Sequence, residues 1–271
     1  TMREEVEQMG GDVRLKSRVV RLLGTGKKLT GVVIETPDGE VTLKADYIFS
    51  SMPIAELADK LPDGALSDKA KATAEQLPYR DFITVGILAD KLSLTNETAQ
   101  PTLGNIPPDC WIYVQEPDIR MGRLQIFNNW SPYLVPDPEH QVWLGLEYFC
   151  SKGDALWQMR DEDFIAMAIE ELAKMGIVQK EAVKDAVRYR IEKAYPAYFD
   201  AYESFPGVRT ELDRIANLYC IGRNGQHRYN NMDHSMMTAF EAVRNIKEHL
   251  PDKENVWNVN TDKDYQETKK G

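Results

Sequence analysis

The sequence predicts a mixed α/β fold made of two interleaved parts, and three observations predict it. A strand, a polar loop and a long helix occupy residues 217–250. A run of short alternating strands fills most of residues 13–51. A separate set of aromatic-rich strands lies between residues 82 and 149. With 271 residues, 42% of them hydrophobic, the chain can build a substantial core. The formal charge of -10 and pI near 5.0 argue against nucleic acid or an anionic membrane as partner, since both call for clustered positive charge. No apolar stretch approaches the roughly 18 residues of a membrane span. Cys110, Cys150 and Cys220 are odd in number and widely spaced, which suits neither zinc nor a disulfide framework and makes a reducing cytoplasm the simplest setting.

Residues 3–9 read as a polar helix stopped by Gly10 and Gly11. VRL (13–15), RVVRLLG (18–24), GVVIET (31–36) and EVTLKA (40–45) alternate apolar and polar residues around two turns, an antiparallel meander, and DYIFSS (46–51) is one more short strand. Residues 54–61 and 67–77 read as helices, with Ser67 as a cap. FITVGILA (82–89), CWIYVQ (110–115), RLQIFNNW (123–130) and QVWLGLEYF (141–149) are branched and aromatic enough to form a second, mixed sheet. Their rings are the ordinary filling of a buried face, whereas Asn128, Asn129 and Trp130 are candidates for a site at a strand end. Residues 161–175 form an amphipathic helix with Phe164, Ile165, Ala168, Leu172 and Met175 inward. A short helix at 180–184, the strand VRYRIEKAYP (187–196) and a helix at 205–215 follow.

The strand LYCI (218–221) stops at Gly222 and is expected to be central in its sheet. The next helix places Met236, Ala239, Phe240, Val243, Ile246 and Leu250 on one stripe, with Asn231 or Asp233 as its cap. The loop between, GRNGQHRYNNMD, holds two arginines, a histidine and a tyrosine. A strand feeding a helix N-terminus through glycine presents unpaired N–H groups and partial positive charge, which favours anions. Arg223 and Arg228 add full charges able to hold a diphosphate.

GRNGQHRYNNMDHSM resembles the C-terminal flavin-binding motif of the FAD-dependent amine oxidase and protoporphyrinogen oxidase superfamily, and is similar in part to the UDP-galactopyranose mutase family. The resemblance implies FAD as cofactor, with Gly222 and Arg223 at the strand end near the cofactor's pyrophosphate or ribityl chain. It puts Asp233, His234, Ser235 and Met236 at the helix start beside the isoalloxazine ring. The opening pattern, GGDVRLKSRVVRL to ADYIFSSMP, resembles the superfamily's middle FAD-domain segment, which implies a backbone contact to adenine at Val19 or Val20. YPAY resembles the dipeptide returning from substrate domain to flavin domain, which adds Tyr195 and Tyr198 as pocket candidates beside Asn129 and Trp130.

In that reading the fold is an incomplete FAD-binding domain, residues 1–53 with 217–250, carrying an inserted substrate domain at 54–216 and a polar tail at 251–271 anchored by Trp257. The GxGxxG that such a domain carries after its first strand is not found. Gly24 and Gly26 sit in a hairpin, so the chain is expected to represent the C-terminal two thirds of such a protein. No metal set, nucleophile with base, or carboxylate pair stands out, and His140, His227, His234 and His249 are scattered, as suits chemistry carried by a cofactor. The expected function is an FAD-dependent oxidoreductase acting on a small molecule such as an amine. The alternatives are a mutase of the UDP-galactopyranose type, in which Arg223 and Tyr229 face the diphosphate of a nucleotide sugar, and a non-catalytic binding module. The substrate strands look unlike the mutase insertion.

Overall fold

The computed structural model describes residues 1–259. In chain order it begins with α1 (Met2–Gln8), β1 (Arg18–Gly24), β2 (Leu29–Thr36), β3 (Gly39–Lys44), β4 (Ile48–Ser50), α2 (Ile54–Lys60) and α3 (Asp68–Glu75). It continues with β5 (Tyr79–Ala89), β6 (Trp111–Tyr113), β7 (Arg123–Ile126), α4 (Phe127–Trp130), β8 (Val142–Cys150), α5 (Ala155–Gln158), α6 (Asp161–Lys174) and β9 (Val183–Pro196). It closes with α7 (Phe205–Asp213), β10 (Leu218–Cys220), α8 (Gly222–Gly225), α9 (Met232–Glu248) and α10 (Glu254–Trp257). No described helix is long and apolar enough to cross a membrane.

The packing forms two compact units, residues 79–195, and residues 1–78 together with those from 196 onward. The boundaries therefore fall at 78/79 and 195/196 rather than at the expected 53/54 and 216/217. The reason is the apolar faces of α2, α3 and α7, where Ile54, Leu57, Ala74, Val208 and Leu212 share one core with Leu22 and Leu29 of the meander. Ser67 caps α3 by accepting from Ala70 N–H at 3.2 Å. The same residue's N–H and hydroxyl both donate to the Glu211 carboxylate of α7 (2.6 and 2.7 Å).

Within this first unit β1, β2 and β3 form the expected antiparallel meander. The VRL segment at 13–15 is not a strand. β4 leaves the meander and pairs in parallel with β10, Ile48 opposite Leu218 and Ser50 opposite Cys220. β10 has that one strand neighbour among the described residues, so it is not the central strand expected. Most of the stripe read on α9 points outward: Met236, Phe240, Val243 and Leu250 are exposed, Ile246 packs against Tyr219 and its neighbours, and the buried line runs through Thr238, Ala242 and Asn245. Periodicity locates a stripe but not what it packs on. The tail is anchored at Trp257, as expected, through a short helix, α10. Val256 and Trp257 are buried, and Trp257 Nε1 donates to Asp213 at 2.9 Å. Residues 260–271 of that tail lie outside the described residues.

The second unit is a five-stranded sheet in the order β6-β7-β8-β5-β9. The ladders joining β6, β7, β8 and β5 are antiparallel, so the mixture of directions expected of the sheet is not found among those strands. One face carries Ile83, Val85, Ile87, Leu124, Leu144, Leu146 and Tyr148, packed with Phe164, Ala168 and Leu172 of α6 as the stripe on that helix predicts. Glu171 of α6 is buried as well and is held by three donors: the N–H groups of Arg120 (2.7 Å) and Met121 (3.3 Å) and the hydroxyl of Tyr148 (2.9 Å). FNNW, expected to continue β7, turns instead into α4.

Candidate functional site

In the first unit β10 delivers the chain to Gly222, whose φ of +71° is a left-handed conformation that a side chain would strain. The expected loop begins with a helical turn, α8, because the N–H groups of Gln226 and Arg228 bond back to the carbonyls of Gly222 and Arg223. Gly225 is fixed for a different reason: a Cβ there would lie 2.4 Å from the Ser50 carbonyl oxygen at the end of β4. The buried Thr238 Oγ1 accepts from Gly222 N–H at 2.9 Å and donates to Ser235 O at 2.7 Å, which fixes the distance from strand end to helix start. Neither constraint has a sequence signal beyond the residue type.

Asn231 is the N-cap of α9, which resolves the choice between it and Asp233. His234 Nδ1 lies 3.3 Å from Asn231 N–H and 3.5 Å from the Asp233 carboxylate. Asp233 and Met236 are exposed, and Ser235 is half-buried beside Gly222. The 17-residue helix aims its partial positive charge out of this first turn.

The arginines are placed differently from free clamps. Arg223 Nε donates to Asn230 O at 2.9 Å, and its guanidinium lies 4.8 Å from the centre of the Tyr229 ring. Arg228 donates to Trp257 O at 2.7 Å. Tyr198 OH accepts from Tyr229 N–H, and burial raises the pKa of that phenol. His227 is fully buried at φ +45°, its Nε2 3.2 Å from Ala197 O, and desolvation lowers its pKa to about 4, so it is neutral at pH 7.

Three buried side-chain oxygens around this strand end have no hydrogen-bond partner among the described residues: Ser50 Oγ, Asn224 Oδ1 and Asn230 Oδ1. Buried polar atoms are nearly always paired, so these three oxygens stand out from the rest of the unit. Val19 and Val20 belong to the same unit. Val19 pairs with Ile34 and Arg21 with Val33, so Val20 is the extra residue of a bulge, with its peptide groups outside the regular ladder. The N–H groups at the helix start suit an anion, and the unpartnered oxygens suit a hydrogen-bond donor.

The remaining candidates, Tyr195, Asn129 and Trp130, lie in the second unit. The Tyr195 hydroxyl accepts from Arg123 at 2.7 Å. Asn129 donates to the carbonyls of Pro107 (2.7 Å) and Asp109 (2.9 Å), which holds the segment entering β6. Trp130 is 53% exposed and stands edge-on to Trp111. Sequence reading missed the pair at the centre of this group: Arg123 is 0% and Glu147 4% exposed, joined at 2.6 Å. Their register, Arg123 opposite Glu147, becomes apparent only once β7 and β8 are paired. No cluster among the described residues could hold a metal ion.

A strand that ends in a left-handed glycine and leads to a long helix brings N–H groups and partial positive charge together at one end of the sheet, a common arrangement in α/β proteins. The sequence matches the family of flavin containing amine oxidoreductases over residues 1–246, and the chain belongs to that family. Solved structures share the fold. One is a reduced UDP-galactopyranose mutase, at TM-score 0.72 and 21% identity, covering 95% of this chain and 52% of that one. Another is a putrescine oxidase redesigned in its cofactor binding, at 0.57 and 15%, covering 88% and 51%. A third is an oxidoreductase from Methanosarcina mazei, at 0.50 and 16%, covering 83% and 47%. The chain thus spans about half the length of these structures. None of the curated proteins matches it.

Proposed function

We propose that the protein acts as an FAD-dependent oxidoreductase of the amine oxidase and protoporphyrinogen oxidase type on a small organic substrate. The observation that carries this reading is the β10–Gly222–α9 turn with its orphaned oxygens, in a chain of a flavin-containing family. FAD, when bound, supplies the electron acceptor. Gly222 and Arg223 hold the strand end against its phosphates. The α9 start, from Asp233 to Met236, meets the ring edge with N–H donors and a positive dipole. Val19 and Val20 offer backbone groups to the adenine, which the bulge supports. Tyr229, in the same unit as the flavin turn, is assigned to the substrate. Three free cysteines accord with a cytoplasmic setting, and the acidic balance with a partner other than nucleic acid.

The test is anaerobic addition of amines to the FAD-loaded protein at neutral pH. Bleaching of the visible flavin bands is the expected result, and a protein that takes up no flavin under gentle conditions contradicts it. The stacking of Arg223 on Tyr229 favours a second reading, a mutase acting on a nucleotide sugar. That reading predicts that Arg223→Ala weakens UDP binding about tenfold, and unchanged affinity excludes it. Flavin retention without bleaching by any amine, and without turnover of a nucleotide sugar, leaves a binding module.

A further inference from the structure

The first unit contains a cavity of about 130 Å³ where the start of α7 meets Trp257 of α10, and the flavin reading does not use it. Its walls are rings. Tyr202, in the turn before α7, stacks on Phe205 with ring centres 5.6 Å apart and 13° between planes, and Phe205 stands edge-on to Trp257 at 6.1 Å. Gln226 closes one side. It is 2% exposed, and its amide donates to the carbonyls of Cys220 (3.3 Å) and Val256 (2.8 Å), so this part of the lining is fixed. A space of roughly 150 Å³ walled by carbon accepts one benzene ring. This cavity is of that size.

Charge separates it from an ordinary packing gap. Arg209 and Arg228 both line it and no carboxylate does, in a chain whose formal charge is -10. Both guanidinium groups are oriented in advance. Arg228 Nη1 donates to Trp257 O at 2.7 Å. The Arg209 guanidinium lies 5.1 Å from the centre of the Trp257 ring, with its Nε 3.5 Å from Asp213, which the Trp257 indole N–H holds at 2.9 Å. Arg209 Nη2 is paired with Glu254, whose side chain is 59% exposed and otherwise accepts from Asn258 at 2.8 Å. Exposed pairs of this kind contribute little, so Glu254 is readily displaced by a better placed anion.

We propose that this cavity binds a small aromatic carboxylate of about the size of benzoate, and that Glu254 occupies Arg209 when the ligand is absent. The ring lies against Tyr202, Phe205 and Trp257, where aromatic pairs gain beyond the area they bury. The carboxylate takes the fork of Arg209, a charge-assisted pairing. A primary ammonium group is repelled by the two guanidinium groups, and a bare inorganic anion leaves the aromatic walls unused. The site draws on neither Gly222 nor the start of α9, so it stands whether or not the flavin reading does.

Calorimetric titration of the full chain with benzoate, benzamide and inorganic phosphate tests this. Saturable binding of benzoate is expected, with the uncharged amide and the ringless anion each weaker by about tenfold. Arg209→Gln, checked as folded by circular dichroism, should reduce benzoate affinity about tenfold. Glu254→Gln, at an exposed position, should instead raise it about threefold by removing the competing carboxylate. Several results overturn the proposal: no saturable benzoate binding, benzamide or phosphate binding as tightly, or an Arg209→Gln affinity equal to that of the parent. Displacement of benzoate by FAD also overturns it, by placing the binding at the flavin turn. A Glu254→Gln affinity no higher than the parent's removes Glu254 from the account.

Discussion

Helices α6 and α9 carry the same kind of apolar stripe, yet one is buried and the other is not. In α6, Phe164, Ala168 and Leu172 are 0% exposed against the five-stranded sheet, whereas in α9 Phe240 is 64% exposed and the buried line runs through Thr238, Ala242 and Asn245. The unit of residues 79–195 encloses one large core. The other unit joins a meander, a helical core and a two-stranded parallel sheet. Parallel strands are ordinarily covered on both faces, and two alone are marginal. The lesson is that a stripe reports the wish to be covered, and only the topology tells whether the cover lies within the same stretch of chain.

The sharpest way to break this comparison is to truncate both stripes. Leu172→Ala should cost about 2–5 kcal/mol in denaturant unfolding, while Phe240→Ala should stay within about 0.5 kcal/mol. Equal losses would mean that α9 is covered in solution. Of comparable size is the effect at the buried pair of the second unit. Glu147→Ala leaves Arg123 charged and buried and should destabilise by about 3–5 kcal/mol, with a much smaller loss if both are replaced by apolar residues of similar volume.

The first unit should carry the pH sensitivity. His227 is held neutral, with a folded pKa of about 4 against 6.5 for the free side chain. The unfolded chain therefore binds the extra proton between those values, and the contribution is fully present above pH 6.5 and lost as pH falls toward 4. It amounts to about 3 kcal/mol at most, and His227→Phe should flatten the slope of stability against pH over that window. Thr238→Val, which removes the acceptor of Gly222 N–H, should cost about 1–3 kcal/mol.

Much of this was legible in the sequence where pattern is local. The meander, the caps at Ser67 and near Asn231, the face of α6 and the turn at Gly222 follow from alternation, capping chemistry and glycine. What was not legible depends on pairing between distant segments. β4 joins β10 across about 170 residues rather than extending its neighbour β3. Gly225 is required by a carbonyl on β4, and Arg123 finds Glu147 only through strand register. FNNW resembles a strand end by composition, yet its Asn128 side chain pairs with Gln141 O and Trp143 N–H at the start of β8, and Ser131 N–H closes a helical turn on Phe127 O. In the candidate site, residue types announced a strand-to-helix ligand loop, but the tethering of Arg223 and Arg228 to backbone carbonyls did not follow from them.

The central claim is that the strand–glycine–helix turn receives the flavin. The most direct test is the visible absorption spectrum after incubation with FAD and gel filtration, for the protein and for Gly222→Val. Flavin bands retained by the protein and lost in the variant, with both folded by circular dichroism, are the predicted result. Bands absent from both, or equal in both, would contradict it.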